Sequence, residues 1–352
     1  MRGIRCAATV LVLGVLVLTG CVAVSAPPDT GTSETTPMKT LATGLEAPWS
    51  VVRLDDGGAL ISQRDDGRII ELTPSGSTRV VGTVPAVVSG GEAGLNGLAV
   101  HDGMLYAYHS TADDNRVVRM PLTGDPGARR LGAPETVIDG IPRAANHDGG
   151  RIAFGPDDML YIGTGDAGQR DRAQDPDYLG GKILRITPDG DPAPGNPFDN
   201  AVYSLGHRNV QGLAWDSDGT LWASEFGQDT WDELNRIEAG GDYGWPLHEG
   251  IAGADGSIDP VAQWKPEEAS PSGIAVVDDV VLIAGLRGER LWVVQTSSPG
   301  SGWPMYTGDF GRLRDVIPGP DGTFWVLTNN TDGRGSPRDA DDRLLQLGFP
   351  EG

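Results

Sequence analysis

Asp56-Gly57-Gly58-Ala59-Leu60-Ile61 holds the pattern that decides the fold: a tight acidic or glycine turn that runs straight into a short apolar strand. The pattern returns five more times. Turns at Asp102-Gly103, Asp157-Asp158, Asp218-Gly219, Asp278-Asp279 and Asp321-Gly322 lead into Leu105-Tyr106, Leu160-Tyr161, Leu221-Trp222, Val281-Leu282 and Phe324-Trp325. A second strand answers each pair, over Gly67–Leu72, Asn115–Met120, Gly181–Ile186, Asp232–Ile237, Glu289–Val294 and Asp342–Leu347. Successive turns lie 46, 55, 61, 60 and 43 residues apart with no amphipathic helix between them, so the repeat is a propeller blade and not a crossover unit of a parallel sheet. The expected fold is all-β, a six-bladed β-propeller. A tandem of β-sandwiches is the alternative, since acidic-glycine turns occur in every all-β fold. Closure favours the propeller, because Leu344–Leu347 is placed to complete a blade with Thr40–Ala42 and so remove two free sheet edges.

The 352 residues are enough for two ordinary domains, but a propeller uses that length as one unit. The 49 acidic residues against 27 basic ones give a formal charge of −22, so phosphate would repel the protein, and neither nucleic acid nor an anionic membrane surface is expected as a partner. Cys6 and Cys21 are the only cysteines, and a mature fold without a disulfide is expected. Arg2 and Arg5, the apolar stretch from Ala7 to Leu18, and then Leu18-Thr19-Gly20-Cys21 have the order of a secretory signal whose last four residues resemble the bacterial lipobox. On that reading residues 1–20 are a lipoprotein-type signal peptide, Cys21 is lipidated, residues 21–38 are a flexible tether and residues 39–352 are the propeller. An uncleaved membrane anchor and a plainly secreted protein are the competing readings. All three place the propeller outside the cytoplasm, with membrane contact only through the N-terminal segment.

Function is sought in the longest loops, which propellers gather around the central channel. Asp158 to Gly181 spans 23 residues where the first unit uses 10, and Gly322 to Asp342 is similarly long. The first insertion holds Gly163-Thr164-Gly165-Asp166, where small residues would let backbone approach a ligand. Upstream, Asn146-His147-Asp148-Gly149-Gly150-Arg151 puts one of only five histidines in a turn, either as a base near neutral pH or as a surface residue satisfying the turn. Leu205-Gly206-His207-Arg208-Asn209 offers a guanidinium fork and an amide; pairing of that arginine with one of the many carboxylates is the plainer reading. Arg312 and Arg314 share one face of a strand, which is unfavourable unless an anion lies between them and so favours an anionic ligand. Trp231-Asp232-Glu233-Leu234 and Gly241-Asp242-Tyr243-Gly244-Trp245-Pro246 suit calcium, which takes oxygen ligands; no cysteine or paired-histidine spacing supports zinc.

Taken together, His147-Asp148-Gly149-Gly150-Arg151, Gly163-Thr164-Gly165-Asp166, Leu179 to Arg185, Gly206-His207-Arg208-Asn209 and Tyr243-Gly244-Trp245-Pro246 resemble the PQQ-dependent sugar dehydrogenases. The resemblance runs from about Leu41 to Leu347 and covers soluble glucose dehydrogenase and the bacterial aldose sugar dehydrogenases. It implies a propeller that holds pyrroloquinoline quinone (PQQ) over the channel with Ca2+ beside it and oxidises aldose sugars at C1 to lactones, an external electron acceptor closing the cycle. Carried across, His147 is the general base and Arg208 lies near the reacting quinone oxygen with Asn209 beside it. Glu92, Asp166, Arg312 and Arg314 match cofactor-pocket positions. The main-chain carbonyls of Gly227 and Gln228 match the ion beside the cofactor, and Glu233 and Tyr243 match a separate structural calcium.

The chain departs from that family pattern at several points. Glu92 stands where glutamine is common, Arg287 in Gly285-Leu286-Arg287-Gly288 stands where the glucose enzyme has a cofactor-pairing lysine, and Asp171 and Asn329 replace a glutamine and an aspartate. Two other classes stay open. One is an extracellular binding propeller without redox activity, which would not require His147 together with Arg208. The other is a calcium-dependent lactonase, whose chemistry gives the arginines no role.

Overall fold

The computed structural model describes Met1, residues 38–300 and residues 302–350. The expected signal segment, Cys21 and the tether up to residue 37 lie outside the described residues. The strands belong to one compact unit.

After β1 (Lys39–Ala42) the chain builds six antiparallel sheets in succession. The first blade is β2 (Pro48–Arg53), β3 (Ala59–Gln63), β4 (Arg68–Leu72) and β5 (Thr78–Thr83). The second is β6 (Leu95–His101), β7 (Met104–Ser110), β8 (Asn115–Thr123), the two-residue β9 (Arg130–Leu131) and β10 (Glu135–Ile141). The third is β11 (Ile152–Phe154), β12 (Leu160–Gly163), β13 (Ile183–Ile186) and β14 (Val202–Ser204). The fourth is β15 (Val210–Trp215), β16 (Leu221–Glu225), β17 (Asp232–Ile237) and β18 (Ala262–Trp264). The fifth is β19 (Pro271–Val277), β20 (Val280–Gly285), β21 (Arg290–Gln295) and β22 (Trp303–Met305). The sixth is β23 (Leu313–Pro318), β24 (Phe324–Thr328) and β25 (Leu344–Leu347), completed by β1.

The first strand of each blade touches the first strand of the next, and β23 returns to β2, so six strands line a closed ring. The expected closure is present: Lys39 pairs with Gln346, Thr40 with Leu345 and Ala42 with Leu344. Each acidic or glycine turn joins the first strand of a blade to its second. The last residue of every such turn is left-handed, at Gly57 (φ 87°), Gly103 (72°), Asp158 (58°), Gly219 (82°), Asp279 (60°) and Gly322 (72°). Glycine and aspartate tolerate that geometry, which is why the repeat shows so clearly in the sequence.

Packing explains the apolar runs that follow the turns. In β20, Val281 and Ile283 pack with Trp222 and Leu234 of the fourth blade, whereas Leu282 and Ala284 pack with Val316 and Val326 of the sixth. Side chains alternate between faces, and both faces of a blade are covered by neighbours, so the strand reads as continuously hydrophobic. The core therefore lies between blades, and the strands nearest the ring's axis mix apolar with polar residues.

The two long loops lie where the sequence places them. Residues 164–182 join β12 to β13 and contain a short 3-10 helix, Arg170–Gln174; residues 329–343 join β24 to β25. Lys182 pins the first loop from below: wholly buried, its Nζ donates to the carbonyls of Arg172 (3.1 Å), Ala173 (2.8 Å) and Gly180 (2.8 Å). Burial pushes this amine down to about 7.

Candidate active site

His147 occupies a left-handed position (φ 60°) in the turn before β11. Gly165 makes that turn possible, since a Cβ there would sit 1.9 Å from the His147 carbonyl oxygen. Gly165 thus admits the histidine turn, and Gly163 admits Val210 of the fourth blade, whose side chain a Cβ there would meet at 2.7 Å. Glu92 fixes the turn from the other side, its Oε2 accepting from the His147 backbone N–H (3.0 Å) and from Asn209 Nδ2 (3.0 Å).

The imidazole's partners settle its tautomer. Nδ1 lies 2.7 Å from Asp166 Oδ1, so it carries the proton and donates, and Nε2 lies 3.3 Å from Asn146 Nδ2, so it presents a lone pair. Asp166 is wholly buried, and its second oxygen accepts from Trp245 Nε1 (2.8 Å) while Oδ1 also accepts from the Gly168 N–H (2.8 Å). Burial opposes ionisation of this carboxyl, but the bonds from His147, Trp245 and Gly168 outweigh it and hold the carboxyl below its ordinary value. The result is an ionised carboxylate behind a ring whose free nitrogen can accept a proton.

Arg208 belongs to the same group. Its carbonyl accepts from the Asp166 N–H (2.9 Å), and its guanidinium lies 5.4 Å from the Trp245 ring. Nη1 donates to the carbonyls of Phe226 (3.1 Å) and Gly227, while Nε is buried without a partner among the described residues. Asn209 is wholly buried: its Oδ1 accepts from the Gly149 N–H (2.9 Å) while Nδ2 serves Glu92, so it braces the histidine turn.

Beside this group opens a cavity of about 410 Å³ at one mouth of the channel, within the roughly 300–1,000 Å³ of small-ligand sites. Glu92 and Phe226 connect the two, and the walls carry Trp49 and five arginines: Arg64, Arg287, Arg312, Arg314 and Arg334. Arg312 and Arg314 converge as the strand alternation requires. The anion expected between them is in part internal: Asp332 lies 3.0 Å from Arg312 Nη2 and 4.0 Å from Arg314 Nη2. Demand for negative charge remains, because Arg312 Nε is buried without a partner among the described residues, and burial, with Arg64 and Arg312 nearby, pushes the Arg314 guanidinium down against the pull of Asp332. Below the cavity the channel is stopped by the buried pair Arg151–Asp315 (2.8 Å), with Ser50 Oγ 3.3 Å from Arg151 Nη1.

The calcium positions are differently disposed. Gly227 offers its carbonyl to Arg208. Glu233 and Tyr243 line a small cleft with Glu225 and Glu249, and Arg208, Gly227 and Trp245 line the same cleft. There Glu233 Oε1 accepts from the Gly250 N–H (2.7 Å), and the Tyr243 hydroxyl accepts from the Glu238 N–H (2.8 Å) and donates to the Arg236 carbonyl (2.6 Å). Among the described residues no three His, Cys, Asp or Glu side chains converge as a metal-binding group.

The profile of the glucose/sorbosone dehydrogenases matches residues 45–338. The chain belongs to that family. A PQQ-bound aldose sugar dehydrogenase from Streptomyces coelicolor has the same fold at a TM-score of 0.85 and 51% identity, the match covering 89% of this chain and 98% of that one. The aldose sugar dehydrogenase YliI of Escherichia coli is 29% identical over 330 residues, 82% of this chain and 89% of its own. Quinoprotein glucose dehydrogenase B of Acinetobacter calcoaceticus is 32% identical over 253 residues, and the alignment spans 61% of this chain and 53% of that protein.

Within this family member, Trp49, Arg64, Gln211, Arg334 and Asp332 escaped the sequence reading. Arg64 follows β3 and Trp49 lies in β2, both far in sequence from the other site residues and without a motif. Arg334 and Asp332 carried one usable signal, membership of the long sixth-blade loop.

Proposed function

We propose that this family member is a PQQ-dependent dehydrogenase that oxidises aldose sugars at C1 to lactones. The observation that carries the proposal is the His147–Asp166 pair next to an arginine-lined cavity, joined to it by Glu92: Nδ1 is committed to Asp166, and Nε2, 3.3 Å from the Asn146 amide, keeps a lone pair that can take a proton. The residues present fit the cofactor. PQQ is a flat tricarboxylate, and the cavity walls offer five guanidinium groups and one carboxylate, Glu92; Asp332 and Asp65 offset part of that positive charge from outside the lining, and Arg312 keeps an orphaned buried donor. Arg312, Arg314, Arg64, Arg287 and Arg334 would hold its carboxylates, and Trp49 supplies an aromatic wall.

When bound, PQQ supplies the acceptor for the two electrons that leave sugar C1 as hydride. His147 Nε2 takes the proton of the anomeric hydroxyl, and Asp166 stabilises the imidazolium that forms without taking the proton itself. Glu92 and Asn209 keep the histidine turn in place while the ring changes charge. Arg208, with its unpartnered Nε, lines an adjoining cleft that shares Phe226 with the cavity and places positive charge there.

Calcium is part of the proposal in a limited form. The Gly227 and Gln228 carbonyls are hard oxygen donors, but two oxygens fall short of the six to eight calcium takes. An ion there would draw most of its ligands from cofactor and water. The lipobox-like Leu18-Thr19-Gly20-Cys21 supports an extracytoplasmic, lipid-anchored placement.

The test is reconstitution. Folded cofactor-free protein is mixed with PQQ and calcium, glucose and other aldoses are added, and reduction of an artificial dye is followed. Turnover with at least one aldose is expected; none with any of them refutes the proposal. PQQ retention in equilibrium dialysis without turnover would instead support the binding-propeller reading.

A further inference from the structure

We infer that Trp245 is a positioning residue for the base: its indole N–H sets how strongly Asp166 holds the His147 proton, and its ring face braces Arg208. The inference rests on the assignment of His147 as base, but it concerns the free protein and is tested there.

Trp245 is buried, and its Nε1 donates to Asp166 Oδ2 at 2.8 Å, the oxygen that His147 does not use. The Arg208 guanidinium lies 5.4 Å from the same ring and that of Arg170 lies 4.6 Å from it. The Trp245 carbonyl accepts from Gln174 Nε2 (2.8 Å), which also donates to Asp242 Oδ1 (2.8 Å). The 3-10 helix of the third blade is thus tied to the turn that carries the indole. One side chain therefore meets the base's carboxylate at its edge and two cations at its ring.

The chemistry follows from charge. A donor on Oδ2 disperses part of the Asp166 charge, which weakens the pull of the carboxylate on the Nδ1 proton. Without it the carboxylate presents more charge to the imidazole and favours the imidazolium, so the ring titrates at higher pH. Other charged and titratable groups face this assembly. Arg208 and Tyr178 lie against Asp166, Glu92 lies against the His147 backbone, Arg170 lies on the indole, and Asp148 follows His147 in the turn. None of these is altered by replacing the indole with a benzene ring, which keeps an aromatic face for the arginines.

The experiment is a pH titration of uniformly labelled, cofactor-free protein by NMR. In Trp245→Phe the midpoint of the His147 ring resonances is expected to rise by about half a pH unit or more, a threefold or larger change in proton affinity. In the Asp166→Asn background the same substitution should leave that midpoint where it was, because the carboxylate through which Trp245 acts is gone. An unmoved midpoint in folded Trp245→Phe, or an equal shift in both backgrounds, overturns the inference. Should Trp245→Phe fail to fold, the unsubstituted protein decides. Its Trp245 Nε1–H resonance must move with the His147 transition, and a flat resonance overturns the inference. Failure of reconstituted turnover would strike the proposed function and leave this result untouched.

Discussion

Replacing His147 separates catalysis from cofactor binding. Asparagine is the substitution of choice, because position 147 has a φ of 60°, which asparagine tolerates, and the backbone bond to Glu92 survives the change. Loss of a positioned general base costs about 10²–10⁴-fold in turnover, or about 2.7–5.4 kcal/mol. The geometry places this histidine in the upper half of that range. Its Nδ1 is 2.7 Å from a wholly buried, ionised carboxylate, and the ring itself is only 12% exposed, so orientation is largely arranged before substrate arrives. A loss of about 10³-fold or more is expected for His147→Asn. The arginines proposed to hold PQQ line a cavity that His147 does not, so affinity, read from quenching of tryptophan fluorescence, should change less than about threefold. Dye reduction per bound cofactor is the assay. A fall of less than about tenfold, or a loss residing wholly in cofactor affinity, would refute the role.

Three further outcomes are expected. Leu345→Ala, at a wholly buried position of the closing strand, should cost about 2–5 kcal/mol in denaturant unfolding, and a cost near zero would contradict closure by β1 and β25. Asp332→Asn tests the internal counter-charge. Burial opposes ionisation of that carboxyl, but Arg312 and Arg314 hold it below its ordinary value. Its stabilisation is therefore present above the unfolded carboxyl range and lost as pH falls through the folded value, so the variant should be less stable than the parent at pH 7 and equal to it in strong acid. Calcium, followed by titration calorimetry, should bind the cofactor-free chain weakly and tighten once PQQ is present, because the chain itself contributes two carbonyl oxygens beside the cofactor. Tight binding without PQQ would contradict that account.

The architecture was legible because its determinants are local. The turn residues need left-handed backbone, and the strands after them need apolar side chains on both faces, so each blade wrote the same few residues into the chain at Asp56-Gly57, Asp102-Gly103 and their counterparts. First and fourth strands left fainter marks. Those facing the axis mix apolar residues with Ser50, Gln211, Ser272 and Asp315, and the outer ones are partly exposed, β14, β18 and β22 being only three residues long. Resemblance to the family brought His147, Asp166 and Arg208 forward, and the fold joins them through one carboxylate and one backbone bond.

Sequence by itself settled the repeat and its closure and singled out His147 as the candidate base, since each depends on residue type at a position and its near neighbours. Tertiary structure alone decided which partners those residues take. Gly165 makes room for a turn that starts eighteen residues earlier in the chain, Asn209 braces that turn, Asp332 occupies part of the arginine pair's demand, and Trp245 reaches Asp166 across 79 positions. A ring of blades brings together loops far apart along the chain, and hydrogen bonds and charges act over a few ångströms of space, a distance that no spacing along the sequence records.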